Sequence, residues 1–213
     1  MKNNEVIIRS LGTLKRDIKE DSRRIEGQAI VFESWSRNLG GFVEKINRDA
    51  INEELILNSD VIANVNHDND QMLARYVNGE GTLSLELRED GLWFSFDAPE
   101  TERGNEILWN VRNGNYFECS FACTVLKSDI KRYKEGDSYY QEITRINSLH
   151  DVSIVTHAAY GATSVIARSE EEAAKEFEEI KNEIDAEEEE KRKQDILNEI
   201  SNLRTSFLDE IKI

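Results

Sequence analysis

From Glu170 to Ile213 the chain contains neither glycine nor proline, and it is built largely from Glu, Lys, Ala, Leu and Ile. A stretch with no turn former and no helix breaker has one economical fold, a long helix or two in succession. Apolar residues recur along it at helical spacing, first Phe177, Ile180 and Ile184, then Ile196, Ile200, Leu203, Phe207 and Ile211. Between the two sets Glu187–Lys193 is entirely charged. So narrow an apolar stripe builds no core of its own and needs a partner. The residues up to Arg168 have a different texture, with short alternating apolar runs punctuated by glycine. Charge divides at the same place. Of 43 acidic and 27 basic residues in the 213-residue chain, 16 acidic and 7 basic lie from Ser169 onward. The sequence therefore predicts a globular body over 1–168 and an acidic helical tail over 169–213 that serves as a docking or scaffold-like element.

A net charge of −16 argues against broad electrostatic binding to nucleic acid or to an anionic membrane, because like charges repel. No apolar run approaches the roughly 18–20 residues that span a bilayer. The N-terminus, Met1 to Glu5, leads into a strand-like segment rather than a long apolar signal core, which points to the cytosol. Cys119 and Cys123 lie four apart on an extended segment, a separation of roughly 13 Å that no disulfide bridges. Neither GxxxxGK[ST] nor GxGxxG occurs, so no nucleotide or other cofactor is expected.

Along the body, residues 5–9 and 25–32 read as strands, with Leu11–Arg24 between them as a polar connection. Residues 48–57 read as a short helix capped by Asn47. Asp60–Asp68 alternates as a strand with Val61, Ala63, Val65 and His67 on one face. Gly81–Arg88 and Leu92–Ala98 form a hairpin at Glu89-Asp90-Gly91, and Thr101 caps a helix that ends at Gly114. Tyr116–Leu126 alternates cleanly, with Phe117, Cys119, Phe121, Cys123 and Val125 facing the core and Ser120 on the opposite face. A polar hairpin region over Lys127–Tyr140 leads to strands near Gln141–Ile146 and Leu149–Thr156. The body is thus mostly β with two or three short helices, a mixed α+β architecture.

Three residues on these elements could carry chemistry. His67, at a strand end, can act as a general base at a cleft rim or stand there as a solvent-exposed histidine. Ser120 sits on a rigid packed strand, the placement a nucleophile needs, though the wet side of a sheet holds many idle serines. Asp151, near the start of a strand, could orient an imidazole as the third member of a serine triad, or be an ordinary charged strand end. A metal set drawn from His67, Asp68, Asp70, His150 and His157 fits no standard spacing. Burial of Cys119 would keep its thiol inert.

Taken in order, several blocks form a pattern. They are Gly27–Phe32, Leu39-Gly40-Gly41-Phe42, Asn66-His67-Asp68 followed by Leu73-Ala74-Arg75, Gly81-Thr82-Leu83 to Gly91–Phe94, Cys119-Ser120-Phe121, and Asp151–Thr156 through Ala159-Tyr160 to Arg168-Ser169. This order resembles the prohead (procapsid) maturation protease family of tailed bacteriophages, which is similar to the herpesvirus assemblins. The resemblance covers about residues 5–169. It implies an antiparallel or mixed barrel-like body, and a serine endopeptidase that works inside the immature head in the bacterial host cytoplasm. Its partners would be the major capsid protein precursor or scaffold protein, with self-cleavage and self-association.

Carried over by motif, Ser120 is the family's nucleophile and His67 its base, and Asp151 stands where the family has an acidic residue before Val-Ser. Where the family often has Phe-Pro-Ala-Tyr, this chain has His157-Ala158-Ala159-Tyr160. Because the assemblins use a histidine as third member, His157 and His150 rival Asp151. Ala122 stands where a small residue such as glycine often follows the family's Ser-Phe. A functional alternative is a catalytically idle assembly protein that keeps the protease-like body.

Overall fold

The computed structural model describes residues 4–15, 22–156 and 170–211. In chain order the elements are β1 (Asn4–Leu14), β2 (Arg24–Val31), β3 (Phe42–Ile46), α1 (Glu53–Leu57), β4 (Asp60–Val65), β5 (Ala74–Val77), β6 (Glu80–Gly81), β7 (Ser84–Arg88), β8 (Gly91–Asp97), α2 (Glu102–Arg112), β9 (Glu118–Leu126), β10 (Ile130–Glu135), β11 (Ser138–Ile143), β12 (Ser148–Val155) and α3 (Glu170–Ile211). Nine strands form one nearly closed, barrel-like sheet in the order β6-β5-β4-β12-β9-β1-β2-β8-β7. Strands β10, β11 and β3 form a second, smaller sheet. The fold is α+β and mostly β, with few helices. Within the large sheet, β12 pairs parallel with β4 and antiparallel with β9. That arrangement puts β12 between the strand leading to His67 and the strand carrying Ser120.

The core is the inward face of the large sheet. Ile25, Ile30, Leu92, Phe94, Phe121 and Ile154 are buried within one cluster. Each large apolar side chain withdrawn from water in this way contributes about 1.5–3 kcal/mol before the cost of ordering it. Two glycines allow strands to meet closely. A Cβ on Gly12 would lie 1.7 Å from the Gln28 carbonyl oxygen, and one on Gly91 would lie 1.8 Å from that of Ile30. Helix α2 begins as its sequence implies, with the Thr101 hydroxyl accepting from Gly104 N at 3.1 Å, and Gly114 follows its end at φ 73°.

Several expectations are corrected. Leu11–Arg24 is not one loop, because β1 continues to Leu14 past a bulge between Arg9 and Gly12. The segment 48–57 is broken by extended backbone at the buried Ile51, and Asn52, not Asn47, caps α1. The strand from Asp60 ends at Val65, since Asn66 and His67 both turn into the left-handed region. Strand β7 starts only at Ser84, after the two-residue β6. The Lys127–Tyr140 region holds β10 and the start of β11, joined at Gly136 with φ 61°. Strand β3, which has no counterpart in the sequence reading, pairs parallel with β11. Its signal is hidden by Glu44, a charged residue on the inward face that is nonetheless fully buried.

Helix α3 is a single helix, and it is not free along its length. Ile180 and Ile184 are buried against Leu39, Phe42 and Tyr139, with Phe177 packed beside them. The Phe177 ring meets Tyr139 edge-on at 5.3 Å between centroids. It also covers Gly41 so closely that a Cβ there would lie 2.6 Å from the ring. The first half of the apolar stripe thus finds its partner in the body. Farther on, Ile196, Leu197, Ile200 and Leu203 are exposed. The boundary placed at 168/169 falls outside the described residues.

Candidate active site

The structure brings His67, Ser120 and Asp151 together. Ser120 lies in the middle of β9 and pairs with Ser153 of β12, which in turn pairs with Asn64 of β4 on its other side. The three strands thus line up Ser120, Ser153 and Asn64 across the sheet. His67 sits just past the end of β4, at a point where the chain doubles back over this row. His67 Nε2 is 2.6 Å from Ser120 Oγ, and His67 Nδ1 is 2.8 Å from Asp151 Oδ1.

Proton positions follow from the partners. An ionised carboxylate only accepts, so Nδ1 carries the proton given to Asp151 and Nε2 keeps a lone pair. That lone pair is the acceptor for the Ser120 hydroxyl. The same hydroxyl also lies 3.0 Å from the carbonyl oxygen of Arg9, at the β1 bulge. One proton therefore has two acceptors within reach, and the imidazole is the nearer. An imidazole held in this tautomer against a hydroxyl can withdraw its proton as the oxygen attacks a carbon centre.

His67 owes its place to a strained turn. Asn66 and His67 take φ values of 53° and 59°, a conformation that costs most L-residues about 1–2 kcal/mol and asparagine less. Hydrogen bonds hold the turn in place. Asn66 N donates to the Ile154 carbonyl at 3.0 Å, Thr156 N donates to Asn66 Oδ1 at 3.3 Å, and His67 N donates to Ser153 Oγ at 3.0 Å. Ser153 in turn donates its own proton to Asn64 Oδ1. Asn64 Nδ2 donates to Asn69 Oδ1 at 3.2 Å. Ser153 and Asn64 are both fully buried, so this polar row is hydrogen-bonded where water does not reach.

Burial departs from expectation at Ser120. It occupies the face opposite Cys119 and Phe121, yet that face is not wet at this point, and Ser120 and Ala122 are buried as well. The most accessible member of the group is His67, whose side chain is 14% accessible. His150 points elsewhere: it is exposed, with Nε2 2.6 Å from Thr124 Oγ1. His157 lies outside the described residues. Asp68 accepts from Asp70 N at 3.0 Å and from Gln71 Nε2 at 2.8 Å, and so closes the turn. Among the described residues no three His, Cys, Asp or Glu side chains group to hold a metal ion. Cys119 and Cys123 are free and buried, and burial pushes both thiols up, away from thiolate chemistry.

Sequence reasoning missed Ser153, Asn64 and the Arg9 carbonyl. The first two left a trace, because each is a polar residue with apolar neighbours on both sides, Ala63 and Val65 around Asn64 and Val152 and Ile154 around Ser153. The third is a backbone group and leaves none.

Comparisons with known proteins add two findings. The sequence matches, over residues 10–179, the model of a family described as caudovirus prohead serine protease. Among solved structures the fold is similar to that of the capsid assembly protease of bacteriophage T4, at 14% identity and a TM-score of 0.48, covering 71% of this chain and 97% of that one. No curated protein matches.

Proposed function

The chain belongs to the caudovirus prohead serine protease family, and on that premise we propose that it is a serine endopeptidase with Ser120 as nucleophile, His67 as general base and Asp151 as the group that orients His67. The observation that carries this reading is the unbroken line from the Ser120 hydroxyl through both imidazole nitrogens to the Asp151 carboxylate, at 2.6 and 2.8 Å. Ser120 Oγ attacks the carbonyl carbon of a peptide bond while His67 Nε2 takes its proton. Asp151 stabilises the imidazolium that results. As the tetrahedral intermediate collapses, the imidazolium gives the proton to the leaving amine. Water then repeats the sequence on the acyl-enzyme, with His67 again as base. Ser120 is enclosed, and His67 is the side from which the site meets solvent.

The substrates are the scaffold protein or the scaffolding segment of the major capsid protein, together with the chain itself. The reaction takes place inside the procapsid, in the host cytoplasm. The outer half of α3 is the docking element, since Ile196, Ile200 and Leu203 stay exposed on a helix whose inner half is already packed. Co-expression with the capsid precursor, followed by mass measurement of the products, tests the assignment. The wild type should yield discrete fragments, and Ser120→Ala should leave the precursor intact. Equal processing by both would remove Ser120 from the mechanism.

A further inference from the structure

Behind the imidazole lies a buried polar pair that takes no part in the chemistry itself. Asn64 and Ser153 face each other across the neighbouring strands β4 and β12, and both are fully buried. An apolar pair would fill this place without the desolvation that an amide and a hydroxyl undergo there. What the polar pair adds is control over where one proton points.

Ser153 Oγ accepts from His67 N at 3.0 Å. Its own proton has three possible destinations, namely Asn64 Oδ1, His67 Nδ1 at 3.3 Å and Asp151 Oδ1 at 3.4 Å. Asn64 Oδ1 is the nearest of them and receives it. The amide is turned for this task, because Asn64 Nδ2 donates to Asn69 Oδ1 at 3.2 Å and leaves the oxygen facing Ser153. With its proton committed to Asn64, Ser153 presents lone pairs to the His67 side. Either other placement would work against the base. A proton given to Asp151 Oδ1 falls on the same oxygen that accepts from Nδ1 at 2.8 Å, and it screens the charge that stabilises the imidazolium. A proton given to Nδ1 favours the tautomer with Nε2 protonated, which donates to Ser120 and cannot take its proton.

We propose that Asn64 is a positioning residue for the base. By taking the Ser153 proton it keeps Ser153 an acceptor towards His67, leaves Asp151 Oδ1 to Nδ1, and leaves the Nε2 lone pair to Ser120. It acts through Ser153 and meets neither substrate nor the reacting atoms. The proposal rests on His67 being the base and Asp151 its orienting group, and it goes beyond that reading by giving the buried amide of β4 a part in setting the tautomer.

The test compares the full wild-type chain with Asn64→Leu and Asn64→Asp. Leucine has a similar size and no acceptor. Aspartate turns an oxygen to Ser153 in either protonation state, since its protonated form donates to Asn69 as the amide does. Two readouts are followed against pH. One is the pair of imidazole ¹⁵N chemical shifts, assigned to His67 among the three histidines by comparison with His67→Gln. The other is the rate at which a fluorophosphonate probe labels Ser120. In Asn64→Leu the ¹⁵N shifts above the midpoint should move from the Nδ1-protonated tautomer towards a mixture. Its maximal labelling rate should fall about fivefold to tenfold, and the pH midpoint of labelling should drop by on the order of half to one unit, because the imidazolium has lost support. Asn64→Asp should keep the wild-type tautomer, with a midpoint at or above that of wild type. Asn64→Val, smaller and at home in a strand, carries the same expectations as leucine and serves if the leucine variant does not fold. A slower variant with wild-type ¹⁵N shifts and midpoint overturns the proposal and leaves Asn64 a packing residue. Asn64→Asp impaired as much as Asn64→Leu overturns it too. A wild type that takes no label would instead overturn Ser120 as nucleophile, while the ¹⁵N shifts still judge Asn64, so the two failures are distinguishable.

Discussion

The site is assembled from two kinds of backbone. Ser120 and Asp151 stand on β9 and β12, two paired strands inside a nine-stranded sheet. His67 stands on a two-residue left-handed turn outside any strand. The strand side needs no special residue to hold its shape, since ladder bonds and apolar burial fix it. The turn side costs about 1–2 kcal/mol at His67 and less at Asn66, since asparagine tolerates the left-handed region, and it persists because Ile154, Ser153 and Thr156 of the β12 region bond to it. The difference separates two tasks. On the proposed assignment the attacking oxygen is fixed by packing, whereas the base is fixed by specific hydrogen bonds, which single substitutions can remove.

The largest test of this contrast lies on the strand side. Ser120→Ala should lower peptide cleavage by about six orders of magnitude with little change in thermal unfolding, because the strand does not depend on the hydroxyl. A comparable loss of stability would show that Ser120 is structural. Next comes Asp151→Asn, which presents the wrong partner to Nδ1 and should cost about 10⁴-fold in kcat. Its crystal structure should keep the His67 ring in place, and a displaced ring would reassign Asp151 to anchoring.

Ser153→Ala probes the junction of the two sides. It strands the His67 amide and the Asn64 side chain in a buried place, and should lower kcat by about 10- to 100-fold, as loss of a supporting hydrogen bond does. Unchanged kinetics would mean the turn holds itself. The smallest expected effect is at Asn66. Asn66→Ala should destabilise the chain by about 1–2 kcal/mol in urea unfolding, and Asn66→Gly by less, because glycine accepts positive φ. Equal losses would remove the strain from the account.

The same contrast governs what was legible in the sequence. The β9 strand could be read from its alternation, because Cys119, Phe121, Cys123 and Val125 all face the core, although Phe117, read onto the same face, precedes the strand and is exposed. Helix α2 could be read from Thr101 and Gly114. The burial of Ser120 could not, since alternation distinguishes faces without saying what covers the second one. The turn at His67 was illegible for a different reason. Neither Asn66 nor His67 is a glycine, and their conformation is imposed by Ile154, Ser153 and Thr156, more than 80 positions along the chain. Strand β3 was hidden because Glu44 faces inward to meet Arg9, so the charge pattern contradicted the burial pattern. The blocks that carried the family resemblance located His67, Ser120 and Asp151 in sequence, but not the Ser153–Asn64 support behind them.

The parallel pairing of β4 with β12 has one more consequence, and it concerns time. His67 meets Ser120 across 53 positions and Asp151 across 84. Contacts this distant close late, because the chain must give up loop entropy before any of them forms. A nascent chain that lacks β12 has neither Asp151 nor the Ser153 hydroxyl that holds the His67 turn. Peptidase competence should therefore appear only with the completed sheet, and in a refolding experiment it should lag behind the recovery of strand content.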